Sequence, residues 1–357
     1  MQERSIMWQY IREEISCLPK LWDYPHLEEV ASTLATVNIE KVYYVASGSS
    51  LNVAKVVHSW MEKYWNCEVV CLAPLEFKQR QSVKKQYANT LVIGVSQTGT
   101  SRGTLESLQY AKELGYPLLT LTEQENTPVA KLGDYYLNFC CGEEDSNAKT
   151  KGYSSNLILV QRLILLVAKY KGNLSDEQFV KLDNELKQSV SHVAGVIDKT
   201  IQWVEKHQDW ANMKDLTVIG YGNNYATAME GSLKLLETMS IASMFIDIEE
   251  FSHGTHRAMH KDSRIVLLAS DAEGKEDTRI TANYLRNISD YVLLVDAGSD
   301  AKENEYTLTL PCMYETESSL LHVVVIQVLS VAFPELLDKD PNYPYNQDLT
   351  EIIKTRV

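Results

Sequence analysis

Positive charge is scarce in this chain: 34 Lys and Arg stand against 48 Asp and Glu over 357 residues, giving a net charge of −14 and a pI near 5.1. A nucleic-acid surface needs a basic field, so that partner is argued against. A small phosphorylated ligand is not, because a local nest of main-chain N–H groups can hold an anion in an acidic protein. Cys17, Cys67, Cys71, Cys140, Cys141 and Cys312 lack CxxC spacing, and buried free thiols in a reducing cytosol are expected. No apolar run approaches the roughly 20 residues of a membrane span. Leu157–Ala168 and Leu320–Val331 are interrupted by polar residues and predict buried helices. Glu3, Arg4, Arg12, Glu13 and Glu14 deny the first twenty residues a signal-peptide core, so a cytoplasmic protein without membrane contact is expected. There is no low-complexity region.

What the chain does have is a copy of itself. Val-Ala-Ser-Gly-Ser-Ser-Leu-Asn at 45–52 stands over Ile-Gly-Tyr-Gly-Asn-Asn-Tyr-Ala at 219–226, an offset of 174 positions fixed by Gly48 and Gly222. Without a gap, Val69–Phe77 then falls on Ser243–Phe251, Val92–Gly99 on Val266–Glu273, and Leu118–Thr122 on Val292–Asp296. The repeat is domain-sized rather than the short period of a solenoid.

Within a copy, strand and helix patterns alternate. Strands are predicted at Val42–Ala46, Val69–Leu72, Leu91–Val95, Leu118–Thr122 and Tyr135–Phe139, with helices at Val53–Tyr64, Lys78–Tyr87, Gly103–Leu114 and Ser154–Tyr170. That order predicts an α/β fold of two tandem doubly wound parallel sheets, one per copy. The expected boundaries are N-terminal helices over 1–37, a first domain over 38–175, a second over 176–335, and an irregular tail over 336–357.

In such sheets ligands bind beyond the carboxyl ends of strands, where helix N-termini point N–H groups. Two loops of the first copy qualify: Ser47-Gly48-Ser49-Ser50 and Ser96-Gln97-Thr98-Gly99-Thr100-Ser101. They offer neutral hydroxyl donors with glycines for close approach, which suits a phosphate monoester. They are neither a Walker A loop nor GxGxxG. Serines that merely cap buried helices are the competing reading. The second copy has Ser270-Asp271-Ala272-Glu273-Gly274 in place of the hydroxyl-rich loop, so one anion site per chain is expected.

Ser96–Ser101 resembles the S-Q-[ST]-G-x-[ST] phosphate loop of the sugar isomerase (SIS) family. The tandem arrangement resembles the isomerase half of glucosamine-6-phosphate synthase and the deglycases of 6-phosphorylated Amadori compounds. The resemblance assigns phosphate binding to Ser49, Ser50, Ser96, Gln97, Thr98 and Ser101. It also assigns a sugar-lining loop to Glu144–Tyr153, including Glu144, Asn147 and Thr150, although Asn147 and Lys149 depart from the synthase pattern. On the helix predicted over Asn223–Ser240, Glu230, Lys234 and Glu237 share a face. Read alone, Glu230 and Lys234 form a surface ion pair; in the family the L-K-L-x-E stretch brings a lysine and a general-base glutamate to the site, here Lys234 and Glu237. The resemblance makes His253 the residue that opens the sugar ring, often across a dimer interface. This chain reads His-Gly-Thr there, and His256 and His260 follow. Lys354 resembles a tail lysine that forms a Schiff base with the open ketose, against the alternative of a solvated terminal lysine.

Moving a proton between C1 and C2 of a sugar requires one base that reaches both carbons, with a pKa near neutrality in a partly dry pocket. An imidazole can exchange the ring-oxygen proton. No cofactor and no metal are required, and a zinc site from the three histidines is disfavoured. Without an N-terminal glutaminase domain or a cysteine at position 2, the full synthase is not expected. The preferred expectation is a cytoplasmic, homodimeric deglycase of a 6-phosphorylated ketosamine. An amino-sugar-phosphate isomerase or deaminase, or a non-catalytic sugar-phosphate sensor, are the alternatives.

Overall fold

The computed structural model describes residues 3–85 and 88–357. These fall into two compact units. The first-copy unit comprises residues 16–144, 151–184 and 346–357, and the second-copy unit comprises 1–15, 145–150 and 185–345.

In the first-copy unit, β1 (Lys41–Val45), β2 (Glu68–Leu72), β3 (Thr90–Val95), β4 (Leu118–Thr122) and β5 (Tyr135–Asn138) form one parallel sheet in the order β2-β1-β3-β4-β5. Every residue of β3 and β4 is buried, as expected for strands covered on both faces. Val92 of β3 and Leu118 of β4 join a core with Phe77, Leu108 and Tyr116. In the second-copy unit, β6 (Asp215–Gly220), β7 (Ala242–Asp247), β8 (Arg264–Ser270), β9 (Tyr291–Ala297) and β10 (Thr307–Thr309) are ordered β10-β9-β8-β6-β7. Read from β7, this is the same winding as the first sheet. Ile219, Phe251, Leu267, Leu285 and Leu294 belong to the equivalent core.

The repeat extends to single dihedral angles. Gly48 and Gly222 precede the helices Ser49–Trp65 and Asn223–Met239 at φ 55, ψ −134 and φ 54, ψ −134. Their positive φ favours glycine. Both helices end on a left-handed residue, Asn66 and Ser240, whose N–H closes the last turn on Glu62 and Leu236. In the second-copy unit the helix Asn223–Met239 packs on the helix Ser319–Leu336, with Gly231 leaving room for Ile326.

Several sequence expectations shift. The helix expected at Lys78–Tyr87 is two short helices, Pro74–Gln79 and Gln81–Lys84, because Arg80 takes an extended conformation; residues 86 and 87 lie outside the described residues. The polar stretch 173–206, expected to be a helix-forming linker, is borne out as the helix Asp176–Lys206. The tail is not wholly irregular, since Asp348–Ile352 is helical. Ser319–Leu336 is long and apolar enough by length and composition to cross a membrane, and it is 94% buried within the fold. Cys17 and Cys141 are buried, while Cys67, Cys71, Cys140 and Cys312 are partly exposed rather than buried.

Candidate functional site

Both hydroxyl-bearing loops of the first-copy unit lie at the carboxyl ends of strands. The loop after β1 leads straight into the helix Ser49–Trp65, whose first turn leaves N–H groups without intrahelical acceptors. Ser49 and Ser50 are partly exposed in that turn. The capping alternative is not what the structure shows, because Gly48 and Ser101 are the N-cap residues and neither makes a side-chain cap bond.

The loop after β3 is folded by its own polar groups. Gly99 N–H donates to Ser96 O at 2.9 Å, Ser101 N–H to Ser96 Oγ at 3.4 Å, and the Thr98 and Thr100 hydroxyls meet at 2.9 Å. Gly99 sits at φ 66, and a Cβ there would collide with Thr127. Gln97 turns away from the hydroxyls and donates to Glu144 Oε2 at 2.9 Å, an oxygen that also accepts the Gly152 N–H at 3.0 Å. Gly152 is required by close approach, since a Cβ would overlap the Gln97 amide. Gln97 and Glu144 therefore brace the loop against the start of the helix Lys151–Lys171. Asn147 and Thr150 have other partners, within the second-copy unit: Asn147 N–H donates to Asn342 Oδ1 at 2.7 Å, and Thr150 O accepts from Gln327 at 3.2 Å.

The chain terminus also reaches this loop, which sequence reasoning missed. Arg102 N–H donates to Thr355 O at 2.9 Å and Val357 N–H to Thr100 O at 3.0 Å, with an antiparallel bridge between Ser101 and Arg356. Lys354 itself is exposed, at φ 49. No composition or spacing signal marks residues 355–357, because the pairing is made by main-chain groups.

In the second-copy unit Glu230 and Lys234 are buried, not on the surface, at 0% and 1% exposure. Lys234 Nζ lies 3.5 Å from Glu230 and 2.8 Å from Glu237 Oε2. The Glu237 side chain is 32% exposed against 2% for Lys234, so a buried ammonium holds a carboxylate that reaches solvent. A buried charge is tolerated when paired in this way. The arrangement can present one oriented carboxylate oxygen as a base. His253 is exposed at the end of the short helix Ile248–Ser252. His256 Nδ1 faces Phe251 O at 3.2 Å and His260 Nδ1 accepts the Asp262 N–H at 3.3 Å. Among the described residues no group of three or more His, Cys, Asp or Glu is placed to hold a metal ion.

The second copy's equivalents of the two hydroxyl-bearing loops are filled from within. Asn223 N–H donates to Glu317 Oε2 at 3.2 Å, and Asn224 Nδ2 donates to Glu317 O at 2.8 Å. Burial pushes the Glu317 carboxyl up to about 7, only partly offset by the Asn223 N–H. Asp271, which falls on Gln97 in the repeat, pairs with Lys275 at 2.8 Å and accepts from Ser299. Hydrogen bonding to Lys275 holds Asp271 down at about 2. Sequence reasoning found the loss of hydroxyls here but not Glu317.

A family model described as the SIS domain matches residues 37–166. Among curated proteins, glutamine–fructose-6-phosphate aminotransferase (isomerizing) of Caldanaerobacter subterraneus is 31% identical over 232 residues, covering 65% of this chain and 38% of that protein. The enzyme of the same name from Haemophilus ducreyi is 26% identical over 333 residues, covering 90% and 53%. The chain thus spans about half or less of the length of these relatives. A solved structure from Clostridium difficile, provisionally described as a phosphosugar isomerase, superposes with a TM-score of 0.89 at 26% identity, covering 98% of both chains.

Proposed function

We propose that this chain, which belongs to the SIS domain family, is a phosphosugar-processing enzyme acting as a deglycase on a 6-phosphorylated ketosamine. The observation that carries the reading is the pairing of a buried Lys234 with the part-exposed Glu237 at 2.8 Å. Binding a phosphate needs no such carboxylate, whereas moving a proton between adjacent carbons does. The kinship with isomerizing aminotransferases supports chemistry at C1 and C2 of a sugar phosphate.

In the proposed reaction Ser49, Ser50, Ser96, Thr98 and Ser101 bind the 6-phosphate, while the side chain of Gln97 braces that loop through Glu144 and its main-chain N–H faces the phosphate. His253 exchanges the ring-oxygen proton as the ketosamine opens. Glu237 then takes the C1 proton, the enaminol forms, and the proton returns to C2, which leaves an imine at C1. Water adds to that imine, and the C1–N bond breaks to give hexose 6-phosphate and free amine. Lys234 orients Glu237, and Lys354 remains a proposed participant from the tail. A homodimer is part of the proposal: Leu236, Met244 and Phe245 are exposed on the helix Asn223–Met239 and the edge strand β7. The proposed setting is cytoplasmic.

The test is incubation with a panel of 6-phosphorylated fructosamines and amino sugars, reading free amine, ammonia and hexose phosphate. Amine release from a ketosamine supports the deglycase. Interconversion or ammonia release from an amino sugar phosphate alone supports an isomerase or deaminase on the same residues. Binding without turnover of any of them favours a sensor.

A further inference from the structure

We propose that Glu317 is a built-in plug: its carboxyl group fills, in the second copy, the position at the helix start that the first copy leaves open, and so closes that copy to phosphate-bearing ligands.

The two copies provide the comparison. Gly48 and Gly222 have matching dihedral angles at the starts of matching helices. Among the described residues a Cβ built on Gly48 would meet no atom within 4 Å, whereas one built on Gly222 would lie 2.8 Å from Glu317 Oε2 and 3.4 Å from Oε1. The carboxylate accepts the first N–H of the helix, from Asn223, and helix starts of this kind hold anions. Asn224 lies beside it, fully buried, with Nδ2 bonded to Glu317 O and Ser270 Oγ. Among the described residues its Oδ1 has no hydrogen-bond partner, and it offers an acceptor to a proton-bearing oxyanion such as monohydrogen phosphate. Glu317 and Ser318 both have positive φ, 50 and 54, so the backbone itself turns to deliver the carboxylate. Ser49 and Ser50 in the first copy are replaced by Asn223 and Asn224, and the Asn224 amide donors are already engaged by Ser270 and the Glu317 carbonyl.

The chemical class that fits the uncovered position is a small oxyanion, a carboxylate or phosphate. The test variant is Glu317→Gly, because glycine adopts the positive φ at that position without strain and removes the carboxylate. Glu317→Gln keeps an oxygen acceptor for Asn223 and serves as the control. Melting temperature is measured for the three chains in sodium acetate, sodium phosphate and sodium chloride at matched ionic strength, with circular dichroism to confirm the fold. In a second arm, inorganic phosphate is titrated into each chain carrying Ser96→Ala and Thr98→Ala. A larger rise in melting temperature over chloride for Glu317→Gly than for the wild type or Glu317→Gln, in acetate or phosphate, supports the proposal, because any binding at the first-copy loops is common to all three chains. So does phosphate binding gained by Glu317→Gly in the Ser96→Ala, Thr98→Ala background. Equal response of all three chains to the three salts, with no gained binding, overturns it. Neither arm uses turnover, so its failure is separable from failure of the deglycase reading.

Discussion

A carboxylate is useful as a base only if it is both oriented and reachable, and Glu237 meets both conditions through one contact with Lys234. Glu237→Gln keeps the shape and one acceptor oxygen but cannot take a proton. It should lower turnover on a 6-phosphorylated ketosamine by about 10²–10⁴-fold, the range for a lost general base, and leave affinity for a non-reactive sugar phosphate unchanged. Normal turnover in that variant would move the base elsewhere, with Glu230 next to examine. His253→Ala should slow a cyclic substrate more than one locked open. Glu317 makes a prediction about stability. Its folded pKa of about 7 lies above the ordinary 4.5, so the folded chain binds the proton more tightly than the unfolded one. The contribution is complete below pH 4.5 and is lost as pH rises through about 7. Glu317→Gln should remove up to about 3 kcal/mol of that pH-dependent loss, seen as a flatter unfolding free energy across the window. Parallel curves for wild type and variant would show that the carboxyl is not held against burial.

The loop after β3 works as an element rather than as separate hydroxyls. Its shape comes from Ser96 and Gly99 inside, Gln97 and Glu144 to one side, and Thr355–Val357 at its end. Replacing Ser96 and Thr98 by alanine should weaken sugar-phosphate binding by about 1–3 kcal/mol, the scale of lost hydrogen bonds to a charged group. Calorimetry giving wild-type affinity would remove the loop from the site. Gly152→Ala reaches the same loop from outside, because the added methyl overlaps the Gln97 amide. The expected result is weaker phosphate binding with the Ser96 and Thr98 hydroxyls still present.

For the whole molecule, the prediction is one phosphosugar site per chain, on the asymmetry between the copies: hydroxyls in one, Glu317 and the Asp271–Lys275 pair in the other. The exposed Met244 and Phe245 on an edge strand fit a closed two-fold dimer. Mixing Glu237→Gln chains with His253→Ala chains should restore partial activity in heterodimers if His253 serves the neighbouring subunit. Confirmed heterodimers without activity would assign both residues to one chain.

The amino-acid pattern by itself determined the repeat, its 174-residue offset and the winding of both sheets. Those follow from hydrophobic periodicity and glycine conformation, which are local. The same pattern located the hydroxyl loop and the face shared by Glu230, Lys234 and Glu237. It could not determine that Glu230 and Lys234 are buried, since an i, i+4 pair looks alike on a wet face or a dry one until the helix Ser319–Leu336 packs nearby. Nor could it bring Glu317 to Asn223, or Val357 to Thr100, pairs separated by 94 and 257 positions. Those contacts exist only because the fold closes long loops, and a main-chain bond or a solitary carboxylate leaves no periodic trace in the sequence that makes it.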